Sequence, residues 1–281
     1  MKKKIAWLCF AAPILFGSQI TTTYAATPSD EDKKFEAYRE AMADFNPGDF
    51  WIEDGEKLFH EKRGPKNVSL EGCDLGLGPG VVKGAYAQLP RYFKDTNRVE
   101  TLEGRLLGCM VHQQGFNEEE ITKPYYASLA EENGTKSDLV ELVAYVAAQS
   151  NGQPYRVKLE NAAEKNAYEM GKYAFYHRMG SMDLACASCH ATPGLVLRGV
   201  HLPVMTDPAT AGKVMTAFPA YVIKDANVRT WFWRNERCLL AMRMPFLKVN
   251  SDLDVALHLF QVMEASKTDT PIAVPGIKPR A

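Results

Sequence analysis

The sequence predicts an all-α protein built as two halves on one plan, and three observations predict it. Apolar residues recur at helical spacing over the stretches 31–45, 99–113, 137–149, 162–179, 228–242 and 251–265. Gly- and Pro-rich loops separate these stretches, and no segment sustains the two-residue alternation a sheet would need. Residues of one half also reappear in the other. Gly55, Leu58 and Phe59 return as Gly171, Ala174 and Phe175, while Pro90, Tyr92, Thr101, Arg105 and Cys109 return, at one constant offset, as Pro219, Tyr221, Thr230, Arg234 and Cys238. Five matches in register without a gap point to a tandem duplication. Its boundary falls near residues 151–155, where Gly152 and Pro154 break helices, giving units at 46–152 and 155–270.

The chain opens with a positive segment, Lys2, Lys3 and Lys4, followed by an apolar run over 5–17 and small residues at Thr23 and Ala25. This is the pattern of a secretory signal peptide over 1–25. A membrane anchor is the alternative, but the run is too short to span and Pro13 interrupts it. No later stretch is long and apolar enough to cross a bilayer. With a formal net charge of −1 and no basic tract, the 281 residues give no reason to expect nucleic acid or a membrane surface as partner. The mature chain is therefore expected outside the cytoplasm, in the periplasm. Cys9 falls in the leader, and Cys73, Cys109, Cys186, Cys189 and Cys238 remain. Disulfides are allowed in such a compartment, and the odd count leaves at least one cysteine for another task.

The helix that closes each half begins alike, with Ser137-Asp138-Leu139 and Ser251-Asp252-Leu253, where Ser or Asp makes a good N-cap. The second half carries Cys186-Ala187-Ser188-Cys189-His190, a C-x-x-C-H sequence. Two thiols at this spacing can add to the two vinyl groups of one haem, and the next histidine supplies an axial nitrogen to the iron. A dithiol redox pair would want a βαβ context, which is missing, and a zinc site would need one more ligand. One covalent haem c is expected. Upstream, the Gly171, Ala174 and Phe175 pattern resembles the first helix of class I cytochrome c domains, so the fold expected is two tandem domains of that kind.

Two residues compete for the other axial position. Met244-Pro245 resembles the pair that carries the thioether ligand in ordinary class I cytochromes, and would make a simple electron carrier. Cys238 would instead put a thiolate on the iron, lower its potential and make the sulfur a reaction site. Six basic and two acidic residues fall between Lys224 and Lys248, and Arg234 stands one helical turn before Cys238. A cation there lowers the thiol pKa and could hold an anion. Read otherwise, Cys238 is a buried apolar cysteine beside a solvated arginine face.

Aligning Gly55 with Gly171 sets Cys73 opposite Cys189 and Asp74 opposite His190. The first half thus lacks the axial histidine and one haem thiol, and is expected to have lost its haem. It keeps Cys73 and Cys109 facing the vacated pocket, where they should close as a disulfide worth about 4 kcal/mol on the chain-entropy model. Two separate buried thiols are the alternative. His60, His112, His177, His201 and His258 have no pattern around them and read as surface or packing residues.

Together, the duplicated plan, the C-x-x-C-H in the second half and Arg234-x-x-x-Cys238 followed by Met242-Arg243 resemble SoxA, the larger subunit of the SoxAX cytochrome, over nearly the whole mature chain. Many members carry two haems, and this chain departs from them in its first half as the single-haem members do. The resemblance implies L-cysteine S-thiosulfotransferase activity, in which thiosulfate is joined oxidatively to a cysteine of the carrier SoxY and the electrons leave through haem. By position it implies Cys186 and Cys189 as attachment sites and His190 and Cys238 as axial ligands. It makes Cys238 the active sulfur, carried as a persulfide, and Arg234 the substrate contact. Arg243 is added as a second electrostatic contact. A small SoxX-like cytochrome is the implied partner. A plain His/Met carrier using Met244, or a non-catalytic scaffold, would be the reading if Cys238 proved structural.

Overall fold

The computed structural model describes residues 30–42, 45–130, 136–197 and 200–278; the expected leader, 1–25, lies outside them. The helices described are α1 (Asp30–Ala41), α2 (Asp49–His60), α3 (Leu102–Cys109), α4 (Glu118–Ala130), α5 (Asp138–Ala148), α6 (Ala162–Tyr176), α7 (Cys186–His190), α8 (Pro208–Met215), α9 (Trp231–Ala241) and α10 (Asp252–Ala265). Five of the six helical stretches read from the sequence contain one of these, and the sixth, 31–45, overlaps α1, which begins one residue earlier. The all-α expectation needs correction, because the described residues also form short strands: β1 (Arg91–Phe93), β2 (Arg98–Glu100), β3 (Val196–Leu197), β4 (Val200–His201), β5 (Ala220–Val222), β6 (Asn227–Arg229) and β7 (Gly276–Lys278). Strands of two or three residues have no period to detect. Val99 and Val228, read as helical, begin their segments in β2 and β6.

Each half is held by one close helix crossing, α2 on α5 and α6 on α10. Glycine makes both possible: a Cβ at Gly55 would overlap the Glu141 carbonyl, and a Cβ at Gly171 would overlap the Ala256 carbonyl. Backbones this near leave room only for a residue without a side chain. One turn on, Phe59 meets Tyr145 with ring centroids 5.6 Å apart, and Phe175 meets Phe260 at 5.1 Å. Such aromatic contacts add to the apolar area buried. Glu141 pairs with Ala256 and Tyr145 with Phe260, so the closing helices pack one residue out of register with the Ser-Asp-Leu match. Ser137 and Ser251 do stand at the N-caps, but neither side chain makes the capping hydrogen bond; Asp254 accepts from Asn250 N at 2.9 Å instead.

The segments between the crossings repeat in detail. In the first half β1 pairs antiparallel with β2, a left-handed residue, Asn97 (φ 53°), turns the chain, and Thr101 caps α3. In the second half β5 pairs with β6, Ala226 (φ 47°) turns the chain, and Thr230 caps α9. Strand β7 adds to β5 in parallel and brings the C-terminal segment back across the molecule. There Asn46 donates to the Pro275 carbonyl at 2.6 Å. Short contacts knit the halves: Glu164, the capping-box residue of α6, also accepts from Tyr92 N at 2.9 Å, and Tyr86 Oη donates to Phe218 O at 2.9 Å. One apolar core runs through both halves.

Cys73 and Cys109 are joined by a disulfide, with Cα atoms 5.8 Å apart and both residues buried. Leu70, which the alignment of Gly55 with Gly171 sets opposite Cys186, is fully buried. After Cys109 the helix widens into a π-turn, Met110–Gln114, which closes on the left-handed Gly115. Among the described residues no helix is long and apolar enough to cross a membrane.

Candidate active site

The site lies where α7 faces α9. The C-x-x-C-H sequence forms α7 itself, opened by a bond from Ala185 N to Ser188 Oγ at 3.0 Å. Cys186, Cys189 and His190 are half-buried on it, and both thiols are free. His190 Nδ1 lies 2.9 Å from the Pro203 carbonyl. A carbonyl only accepts, so Nδ1 carries the proton and donates, which leaves Nε2 as the bare ring nitrogen. Such a bond orients a ligating imidazole and fixes its tautomer. The His190 carbonyl is held in turn by Met205 N at 2.8 Å.

Helix α9 brings up the other side. Thr230 caps it, accepting from Trp233 N at 3.3 Å, and Trp231, Phe232, Trp233 and Leu239 bury its inner face. This fixes the rotation of the helix, so Arg234 and Cys238 share the face turned toward α7. The Cys238 sulfur interacts with the His190 ring. Burial alone would raise the Cys238 thiol pKa, but the His190 contact and the charge of Arg234 overcome it, and the net shift is downward. Cys186 shows the opposite: burial, with the Cys238 charge beside it, pushes its thiol up to about 12. Burial works to lower the His190 pKa, but the Cys238 sulfur and the Pro203 carbonyl together raise it overall. Among the described residues Arg234 forms no ion pair.

The remaining candidates are placed differently. The Met244 side chain rests on the turn at Gly180, where a Cβ would come 2.7 Å from Met244 Cγ, rather than against His190. Arg243 is exposed at a left-handed turn (φ 54°). The loop that carries both is tied to α9 by Glu236, whose two carboxylate oxygens accept from Leu247 N at 3.1 and 3.2 Å. His258 is a packing residue, stacked on Trp231 at 4.3 Å, while His60, His112, His177 and His201 are exposed. Pro203, Met205 and Glu236 were not found from sequence. Pro203 follows His190 by thirteen residues and gives no local signal of its role.

The donor set suits a haem. Two free thiols precede a histidine with a bare Nε2, and the Cys238 sulfur meets that ring from the opposite helix. Among the described residues no three His, Cys, Asp or Glu side chains gather to hold a bare metal ion.

Comparisons with known proteins agree with this chemistry. A family profile described as SoxA/TsdA, cytochrome c domain, matches residues 54–155. The chain is 38% identical to the L-cysteine S-thiosulfotransferase subunit SoxA of Hydrogenophilus thermoluteolus, over 99% of this chain and 100% of that protein. It is 31% identical to a subunit of the same name from Hydrogenobacter thermophilus, over 94% and 96% of the two chains. In fold it is similar to a chain in the crystal structure of SoxXA from P. pantotrophus, with a TM-score of 0.65 and 23% identity, covering 86% of this chain and 84% of the other. The fold is cytochrome c-like.

Proposed function

The chain belongs to the SoxA family of L-cysteine S-thiosulfotransferase subunits, and from that premise we propose that Cys238 is the sulfur at which thiosulfate is oxidised. The protein is an enzyme subunit of thiosulfate oxidation and a c-type cytochrome. It couples thiosulfate to a cysteine of a SoxY-like carrier and works in the periplasm with a small SoxX-like cytochrome. The halves are a duplicated cytochrome domain, 46–152 and 155–270, of which the first has lost its haem and is stapled by Cys73–Cys109.

Cys186 and Cys189 would hold one haem c covalently, and His190 and Cys238 would offer a nitrogen and a sulfur to its iron. When bound, it supplies an acceptor for electrons leaving the site. The rest is done by side chains. Arg234 holds the sulfonate oxygens of thiosulfate by charge-assisted hydrogen bonds and turns its outer sulfur toward Cys238. Arg243, at the rim, adds positive potential along the approach. The downward shift of the thiol pKa favours the Cys238 thiolate, the form that can bond to sulfur. Its sulfur and the outer thiosulfate sulfur join with loss of two electrons, leaving an S-thiosulfonate on Cys238. The carrier's thiolate then attacks the middle sulfur, the Cys238–sulfur bond breaks, and Cys238 departs as thiolate. The carrier leaves as its S-thiosulfonate, so one thiosulfate and one thiolate give one product and two electrons.

The observation that carries this reading is the placement of the Cys238 sulfur against the His190 ring with Arg234 beside it. Replacing Cys238 by Met tests it. Thiosulfate-dependent modification of the carrier should vanish and the absorption spectrum should change to that of a His/Met haem. Retained turnover in C238M would leave only an exported electron carrier.

A further inference from the structure

Helix α4 has no counterpart in the second half, since among the described residues the chain passes from α9 to α10 without a helix between them. It belongs to the first half, between α3 and α5, yet its side chains reach the active helix of the other. Tyr125, fully buried, sets its Oη 3.1 Å from Thr230 Oγ1, and the two hydroxyls share one hydrogen. Thr230 is the cap of α9, so this bond falls on the oxygen that accepts from Trp233 N. The Tyr125 ring lies 5.8 Å from that of Phe232, and the Tyr126 ring 6.4 Å from the same residue. The Ser128 carbonyl accepts from Arg229, the residue before the cap, whose guanidinium also sits 4.9 Å over the Trp233 ring. Beyond α9, Tyr126 Oη accepts from Val249 N at 2.8 Å, and Glu118 lies 2.8 Å from Lys248. One helix thus grips both the entry to α9 and the loop that leaves it.

The first half shows what this grip replaces. Thr101 caps α3 as Thr230 caps α9, but the cysteine that ends α3, Cys109, is fixed covalently to Cys73. Cys238 is free, so no covalent link sets how far α9 turns toward α7. A helix carries its side chains about 5 Å from its axis, so a rotation of about 10° displaces one by about 1 Å. A displacement of that size can cost a reaction about a hundredfold. Arg234 and Cys238 ride on the same helix and move together. A turned α9 therefore keeps thiosulfate in its seat and misdirects only the sulfur relative to His190. We propose that Tyr125 is a positioning residue of the active site: through the Thr230 hydroxyl it locks the rotation of α9, and with it the bearing of Cys238 on His190. The first half thereby takes part in the chemistry of the second. The inference rests on the reading of Cys238 as the active sulfur.

The test compares Y125F with Y86F in the haem-loaded protein, with its carrier and small cytochrome. Tyr86 also ties the halves together through a buried hydroxyl, which donates to Phe218 O at 2.9 Å, so Y86F removes a like bond that does not touch α9. Urea midpoints should fall to a similar extent in both. Y125F should lower kcat about tenfold or more and leave KM for thiosulfate within about twofold. It should also broaden the low-spin electron paramagnetic resonance signal of the ferric haem, as Cys238 takes up a spread of orientations. Y86F should leave kcat, KM and the signal at wild type. T230S keeps the hydroxyl and should match wild type. T230V should lose at least as much kcat as Y125F, and Y125F/T230V should be no worse than T230V alone, as expected for residues acting through one interaction. A wild-type kcat and signal in Y125F overturns the inference, and so do equal changes in Y86F. Retained turnover in C238M overturns the reading of the site and this inference with it.

Discussion

Breaking the Cys73–Cys109 disulfide should cost the protein about 4 kcal/mol, and the pattern of loss across single and double variants is more telling than its size. The cross-link closes a loop with a sequence separation of 36. Constraining a loop of that length in the unfolded chain is worth about 4 kcal/mol at room temperature. Both residues are buried, so replacing them by Ala also leaves small voids, adding about 1 kcal/mol each at most. C73A and C109A each remove the whole cross-link, so each should lose nearly the full amount. C73A/C109A should lose scarcely more than either alone, giving a coupling energy of several kcal/mol in a double-mutant cycle. Urea unfolding of the oxidised proteins measures this. Single losses of about 1 kcal/mol that simply add would refute the cross-link as a stabilising element. So would a wild-type midpoint that does not move on full reduction.

Other predictions follow from particular residues. Glu103 is buried between the halves and its carboxyl is raised from 4.5 to about 7 by burial. A folded-state pKa above the unfolded one means the native state holds more protons between pH 4.5 and 7, so stability falls as pH rises through that window. The difference of about 2.5 units is worth about 3 kcal/mol by pH 8, and E103Q should recover most of it there while matching wild type at pH 4. Parallel stability curves from pH-dependent urea titration would contradict this. Two glycine substitutions should differ in sign. G171A drives a Cβ into the Ala256 carbonyl and should cost 2 kcal/mol or more. G108A, in α3 with nothing within 4 Å of the added carbon, should gain about 0.5–1 kcal/mol. Thermal denaturation of both variants checks the pair.

Much of this was legible in the sequence because the signals are local or periodic. Apolar spacing located six helices, and C-x-x-C-H marked the site by a spacing that chemistry restricts. The Arg234–Cys238 turn was legible because helical geometry puts i and i+4 on one face. The strands were not, since β1, β2, β5 and β6 are three residues each and are held by partners rather than by pattern. The closing-helix register slipped by one because Ser-Asp-Leu marks where each helix begins, whereas packing is set by which carbonyl meets Gly55 or Gly171. Pro203 stayed hidden because it reaches His190 only through the fold.

The most direct test of the central claim is the mass of the peptide containing Cys238. The haem-loaded protein is incubated with thiosulfate and excess one-electron oxidant, without carrier. The account predicts an S-thiosulfonate adduct on Cys238 that disappears when the carrier's thiol is added. An unmodified Cys238 in a preparation that still modifies its carrier would contradict it.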